Sequence, residues 1–268
     1  MTVREWEQAA RARLSSTPDA RAEAIWIIEE CLRIPRAQLP LFANRTLAGD
    51  ELRALEHALS RRMAGEPIQY IFSRAPFMGF EFFVDRRVLI PRMDTEVLCD
   101  AARGYIQSKN RVRALDLCAG SGAIGISLKR LCPQIDMTLS DISPGAGAVQ
   151  KINAAGEDIE ILTGDLFEPV INRTFDLITC NPPYVRAGEI AGLPREVRAE
   201  PVLALDGGAD GLSFYRRLAR EYRKYLAPGG RMYLEVGSDQ ADDVRALLGG
   251  GDVICDLHGV QRVVWTEV

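Results

Sequence analysis

From Arg113 onward the chain alternates short apolar runs with helix-patterned stretches, and this alternation restricts its fold more than any other feature. The runs are 114–118, Asp136 to Ser140, 159–162, 175–180 and 231–236. Each is short and almost continuously apolar, as expected of a strand buried on both faces. Helical patterns lie between them: one opening after Cys118, one from Ser143-Pro144, one over 212–226 and one over 239–248. Such an order predicts an α/β fold with a largely parallel sheet. Val253 to Asp256 and Arg262 to Thr266 read as two last strands, and the intervening Asp256-Leu257-His258-Gly259 is short enough for an antiparallel hairpin. The expected domain is a seven-stranded sheet with helices on both faces.

Open sheets of this kind place their chemistry at the C-terminal ends of the strands. Four stretches fall there. Ala119-Gly120-Ser121-Gly122 follows the first run, and glycines at a strand-to-helix turn let a ligand approach the backbone and reach free helix amides. Asp141 ends the second run, about twenty residues past the loop, where a carboxylate can bind ribose hydroxyls or cap the next helix. Gly164-Asp165-Leu166-Phe167 follows the third; Asp165 can accept from an adenine amino group, with Leu166 and Phe167 walling the ring. Asn181-Pro182-Pro183-Tyr184 ends the fourth. Two prolines make a stiff loop without N–H donors, while the Asn181 oxygen and the Pro182 carbonyl both accept. This suits a planar –NH2 group, against which Tyr184 can lie flat. Alone, the tetrapeptide would read as a strand-ending turn with a buried tyrosine.

Upstream, residues 1–66 read as short helices, with stripes at Ile25, Ile28 and Leu32 and at Leu52, Leu55, Leu59 and Met63. Asp50 is a candidate cap for the second, and Gly65 with Pro67 its stop. Ten arginines balance ten acidic residues there, so this is no basic arm. Residues 67–90 change character: Ile68 to Phe72 and Phe80 to Val84 flank Pro76 and Gly79 and suggest a β-hairpin linker. A further domain then spans 91–268, opening on Pro91-Arg92-Met93-Asp94-Thr95-Glu96, where Arg92 and Glu96 can pair locally.

The net charge of −4 speaks against a nucleic-acid footprint, which usually shows as a basic excess. Six scattered cysteines without a CxxC pair, and only two histidines, argue against a disulfide framework or metal site and for a reducing cytoplasm. No run approaches membrane-spanning length, and Met1 to Glu7 is too polar for a signal peptide.

Taken together, Asp116 to Gly122, Asp141 and Asn181-Pro182-Pro183-Tyr184 resemble the AdoMet-dependent methyltransferases that act on planar amino groups. Gly65-Glu66-Pro67-Ile68, Leu89 to Glu96, and Glu200-Pro201-Val202-Leu203-Ala204-Leu205 with Gly207-Gly208 and Gly211-Leu212 resemble one branch, the peptide chain release factor glutamine methyltransferases (the HemK/PrmC family). The resemblance implies a Rossmann-like class I methyltransferase sheet carrying an N-terminal helical substrate-recognition domain. It implies S-adenosyl-L-methionine as methyl donor, S-adenosyl-L-homocysteine as product, and class I release factors as protein substrates of a cytoplasmic monomer. On this reading Cys118, Ala119, Gly120, Ser121, Gly122, Asp141, Asp165, Leu166 and Asn181 hold the cofactor. Asn181, Pro182, Pro183 and Tyr184 hold the glutamine, with Asn181, Pro182 and Tyr184 serving catalysis. A DNA adenine methyltransferase shares the Asn-Pro-Pro-Tyr loop but needs a basic target-recognition region, and none is found; a non-catalytic AdoMet-binding protein would not need the loop. The chain departs from the family pattern at Cys118, where a glycine is usual, at Met93 in place of proline, at Leu166, often aromatic, and at Gly145 and Gly147 within a helix.

Overall fold

The computed structural model describes residues 1–15, 17 and 19–268, which form two compact units. The first comprises Met1–Ser73 together with Arg195–Ala199. Its helices are α1 (Val3–Arg13), α2 (Ala20–Leu32), α3 (Leu39–Phe42), α4 (Gly49–Met63) and α5 (Ile68–Phe72). Thr2 and Glu5 form a reciprocal capping box that starts α1. Trp6, Leu14, Ile27, Ile28, Leu55 and Leu59 are almost fully buried and make the core. Arg62, itself buried, donates two hydrogen bonds to Glu23 at 2.9 Å. Asp50 lies inside the first turn of α4 rather than capping it; Glu51 reaches back to the Ala48 amide instead.

The segment 68–72, read above as a strand, is the helix α5. Pro67 enters with fixed φ, Ser73 closes the turn in the left-handed conformation, and Ile68, Ile71 and Phe72 share one face on the helical core. A five-residue segment with four apolar side chains fits either period, and packing decides. The hairpin consequently starts later, as β1 (Arg74–Phe77) and β2 (Phe80–Phe83) in the second unit. Met78 and Gly79 between them both have positive φ, the sign that a two-residue type I′ turn requires.

The second unit, Arg74–Pro194 with Glu200–Val268, holds the sheet. In chain order its elements are α6 (Glu96–Gln107), β3 (Arg113–Leu117), α7 (Ala123–Leu131), β4 (Asp136–Asp141), α8 (Pro144–Asn153), β5 (Ile159–Thr163), β6 (Phe175–Cys180), α9 (Ser213–Glu221), β7 (Leu226–Glu235), α10 (Ala241–Leu248), β8 (Asp252–Cys255) and β9 (Gln261–Glu267). The strand order is β5-β4-β3-β6-β7-β9-β8; the first five are parallel, and β9 runs antiparallel to both β7 and β8. This is the expected seven-stranded, Rossmann-like sheet. One buried cluster packs α6 and α7 against one face, and another packs α9 and α10 against the other. The order reverses between β3, β4 and β5 on one side and β6 and β7 on the other, which opens a crevice at the ends of β3 and β6.

Candidate active site

Four loops meet in that crevice. Cys118, Gly120, Asp141, Asp165, Leu166, Asn181 and Pro183 line one cleft, with roughly 810 Å³ of empty space including its open mouth. Its remaining wall comes from residues the sequence reading did not assign, among them Pro201, Leu203, Phe214 and Arg217. A smaller adjoining cleft is lined by Phe77, Pro91, Arg92, Thr95, Ala119, Ser121 and Ile124, and shares Leu89, Cys118, Gly120 and Asn181 with the first. Gly122, Pro182 and Tyr184 line neither cleft.

The glycine loop is held from behind. Asp116 on β3 is fully buried; it accepts from the Thr179 hydroxyl at 2.8 Å and from the Gly125 amide at 3.0 Å, which fixes the start of α7. Burial pushes its carboxyl up to about 7. Gly122 begins α7 at φ 80°, and a Cβ there would meet the Ile126 and Leu139 side chains. Its glycine therefore serves packing. Asn153 on α8 bonds the Phe83 backbone in both directions and the Ser121 carbonyl, tying hairpin and loop together. Cys118 and Leu166 both sit at positive φ, 53° and 47°. The left-handed region costs a non-glycine residue on the order of 1–2 kcal/mol, which explains why glycine is the natural choice at position 118.

Asp141 accepts from the Gly120 amide at 2.8 Å with one oxygen and from the Ser143 amide at 2.9 Å with the other. Burial raises its pKa, and those two amides hold it back. It is not the cap of α8: Ser143 is, accepting from Ala146. Each carboxylate oxygen keeps a second lone pair for a ligand. Asp165 is paired with Arg217 of α9 at 2.7 Å. Arg92 and Glu96 do not pair with each other. Arg92 pairs with Glu200, whose other oxygen takes the Ile90 amide at 2.9 Å, and Glu96 accepts the Met78 amide in the hairpin turn at 2.6 Å.

At the end of β6, the Asn181 side chain donates through Nδ2 to Thr95 Oγ1 at 3.3 Å. Its oxygen is thereby left for the cleft. Tyr184 points its hydroxyl at the buried Glu235, 3.4 Å away. Its carbonyl takes the Gln240 amide at 3.1 Å. Thr95, Glu235, Gln240 and Arg217 are what sequence reasoning missed. Thr95 alone carried a signal, by its place between Asp94 and Glu96.

The cleft fits a nucleoside-bearing methyl donor. A half-buried carboxylate, Asp141, ends β4, Leu166, Leu203 and Phe214 give the cleft apolar lining, and the buried Ser140 Oγ lining it has no hydrogen-bond partner among the described residues. The fold is that of the class I methyltransferases. A family model described as PrmC N-terminal domain matches residues 5–72, and one described as methyltransferase small domain matches 95–193. The chain is 44% identical over 217 residues to the release factor glutamine methyltransferase of Clostridium acetobutylicum, covering 78% of this chain and 76% of that one. It is 36% identical to the protein of that name from Geobacter sulfurreducens, covering 98% and 94%. A ribosomal protein uL3 glutamine methyltransferase from Burkholderia pseudomallei is 35% identical, covering 94% and 86%. Among solved structures, a methyltransferase from Pyrococcus furiosus superposes with a TM-score of 0.52 at 15% identity over 78% of this chain and 96% of that one, a likeness of fold. The chain belongs to the release factor glutamine methyltransferase family.

Proposed function

We propose that the protein methylates the side-chain amide nitrogen of the glutamine in the Gly-Gly-Gln loop of class I peptide chain release factors, with AdoMet as donor. The observation that carries this reading is the Asn181 amide, anchored through its nitrogen on Thr95 so that an acceptor oxygen is left beside two prolines that have no N–H. AdoMet, when bound, supplies an electrophilic methyl group. Gly120 with Ser121, Asp141, and Asp165 with Leu166 would hold its methionine, ribose and adenine parts.

An amide nitrogen is a weak nucleophile because its lone pair is delocalised into the carbonyl. Asn181 and the Pro182 carbonyl accept its two N–H groups, aim the nitrogen and stabilise the positive charge that develops on it. No base is assigned to the proton, which leaves to solvent after transfer. The helical unit serves recognition of the protein substrate.

The relative that acts on ribosomal protein uL3 favours a second reading with the same chemistry and another protein substrate. Incubation with labelled AdoMet and, separately, a purified release factor and ribosomal protein uL3, followed by mass spectrometry of the glutamine peptides, separates the two. Label on the release factor glutamine is expected; label on uL3 alone would transfer the reading to the other substrate.

A further inference from the structure

The following inference rests on the reading of Asp165 as the acceptor for the adenine amino group. A 6-amino purine offers N–H donors at that edge, whereas a 6-oxo purine offers an acceptor oxygen there. An ionised carboxylate has acceptor sites alone, so it can tell the two apart, provided it is held still against the edge of the base. Whatever holds Asp165 still therefore bears on which nucleoside the cleft accepts.

The backbone of its loop is tied on both sides. The Gly164 amide donates to the Asp141 carbonyl at 3.0 Å, and the Glu168 amide donates to the Asp165 carbonyl at 3.0 Å. A Cβ added to Gly164 would stand 2.4 Å from Pro169 Cγ, so the turn closes tightly on itself. The carboxylate is held from α9. Arg217 Nη2 donates to Asp165 Oδ2 at 2.7 Å, while Asp165 Oδ1 takes no hydrogen bond from the described residues. Both residues line the cleft. The helix carries Arg217 on a fixed base, because Tyr215 and Leu218 are fully buried and the Tyr215 hydroxyl donates to the Glu235 backbone carbonyl at 2.7 Å. Phe214, three residues before Arg217 and so on the same face, also lines the cleft, its ring centre 5.8 Å from the guanidinium carbon.

We propose that Arg217 is a positioning residue for base recognition: it engages one oxygen of Asp165, leaves the other for the amino group of the base, and so makes the cleft select a 6-amino purine over a 6-oxo one. The side chains of Arg217 and Asp165 are 45% and 30% exposed, and ion pairs this open to water contribute little to folding. The effect of the pair is therefore read in ligand choice rather than in melting. Without Arg217 the Asp165 side chain regains rotamer freedom that a bound amino group must remove again, which weakens the 6-amino ligand. A 6-oxo base, no longer facing a fixed carboxylate, loses less.

The test is calorimetric binding of S-adenosyl-L-homocysteine and of its 6-oxo counterpart, S-inosyl-L-homocysteine, to wild type, Arg217→Ala, Asp165→Ala and the double variant, with melting measured beside it. Wild type should prefer the adenine compound about 10- to 100-fold, the worth of one charge-assisted hydrogen bond. Arg217→Ala should shrink that preference about fivefold, by weakening the adenine compound more than the inosine one, while melting changes little. Asp165→Ala should remove the preference, and adding Arg217→Ala to it should change the ratio by less than about twofold. An Arg217→Ala that keeps the wild-type preference, or that shifts the ratio as much in the Asp165→Ala background, overturns the proposal. A wild type without preference, or an Asp165→Ala that retains it, overturns the reading of Asp165 itself, and this inference with it.

Discussion

A Cβ added to Gly207 would stand 2.7 Å from Tyr184 Cα and 2.9 Å from the Pro183 carbonyl oxygen. Gly211 lies equally close, with the Tyr184 carbonyl oxygen 2.5 Å from its added Cβ. These are backbone atoms, which cannot swing aside. Gly207 and Gly211 therefore seat the Asn-Pro-Pro-Tyr loop from behind. Gly207→Ala should displace the loop, and a shift of about 1 Å at a reacting group can cost about 100-fold in rate. Methyl transfer by this variant should fall by that order while AdoMet binding falls much less. Unchanged turnover would show that the loop yields without consequence.

Asp141 carries two loads, the Gly120 and Ser143 amides and, in the proposed complex, the ribose. Asp141→Ala should weaken AdoMet binding by about 1.5–3 kcal/mol, the worth of charge-assisted hydrogen bonds. It should also lower the melting temperature, because two backbone donors lose their acceptor. Calorimetry and melting on the same sample check both. Lost stability with unchanged affinity would make Asp141 a loop tie alone.

Mild acidification should stabilise the fold. Burial raises Glu235 to about 7 and Asp116 likewise, above their values in an unfolded chain. Groups raised in this way favour the folded state fully below the unfolded pKa, and that advantage is lost as pH rises through the folded value. From about pH 8 to about pH 5.5 the wild type should gain stability, with each group adding at most about 1.4 kcal/mol per pH unit. Glu235→Gln, which cannot titrate, should show a shallower gain. Denaturant midpoints at several pH values give the slopes; equal slopes would contradict the assignment.

The sheet was legible because buried parallel strands leave continuous apolar runs, and β3, β4 and β6 are buried along nearly their whole length. Segment 68–72 was misread because five residues carry too little periodicity to separate helix from strand. In the site, each loop was found because each follows a strand and carries glycine, proline or a lone polar residue. Its supports were not legible. Thr95 meets Asn181 across 86 positions and Arg217 meets Asp165 across 52, and a threonine or arginine in a helical pattern does not announce such a contact.

The central claim is that the Asn181 oxygen holds the glutamine amide during transfer. The most direct measurement is single-turnover methylation of a release factor by wild type and Asn181→Ala, at saturating AdoMet, with AdoMet affinity and melting recorded for both. Losing one preorganised contact to the reacting group should lower the rate about 100- to 1,000-fold while affinity and melting change little. An Asn181→Ala rate within a few-fold of wild type would contradict the claim, as would a loss of rate that merely follows a loss of folded protein.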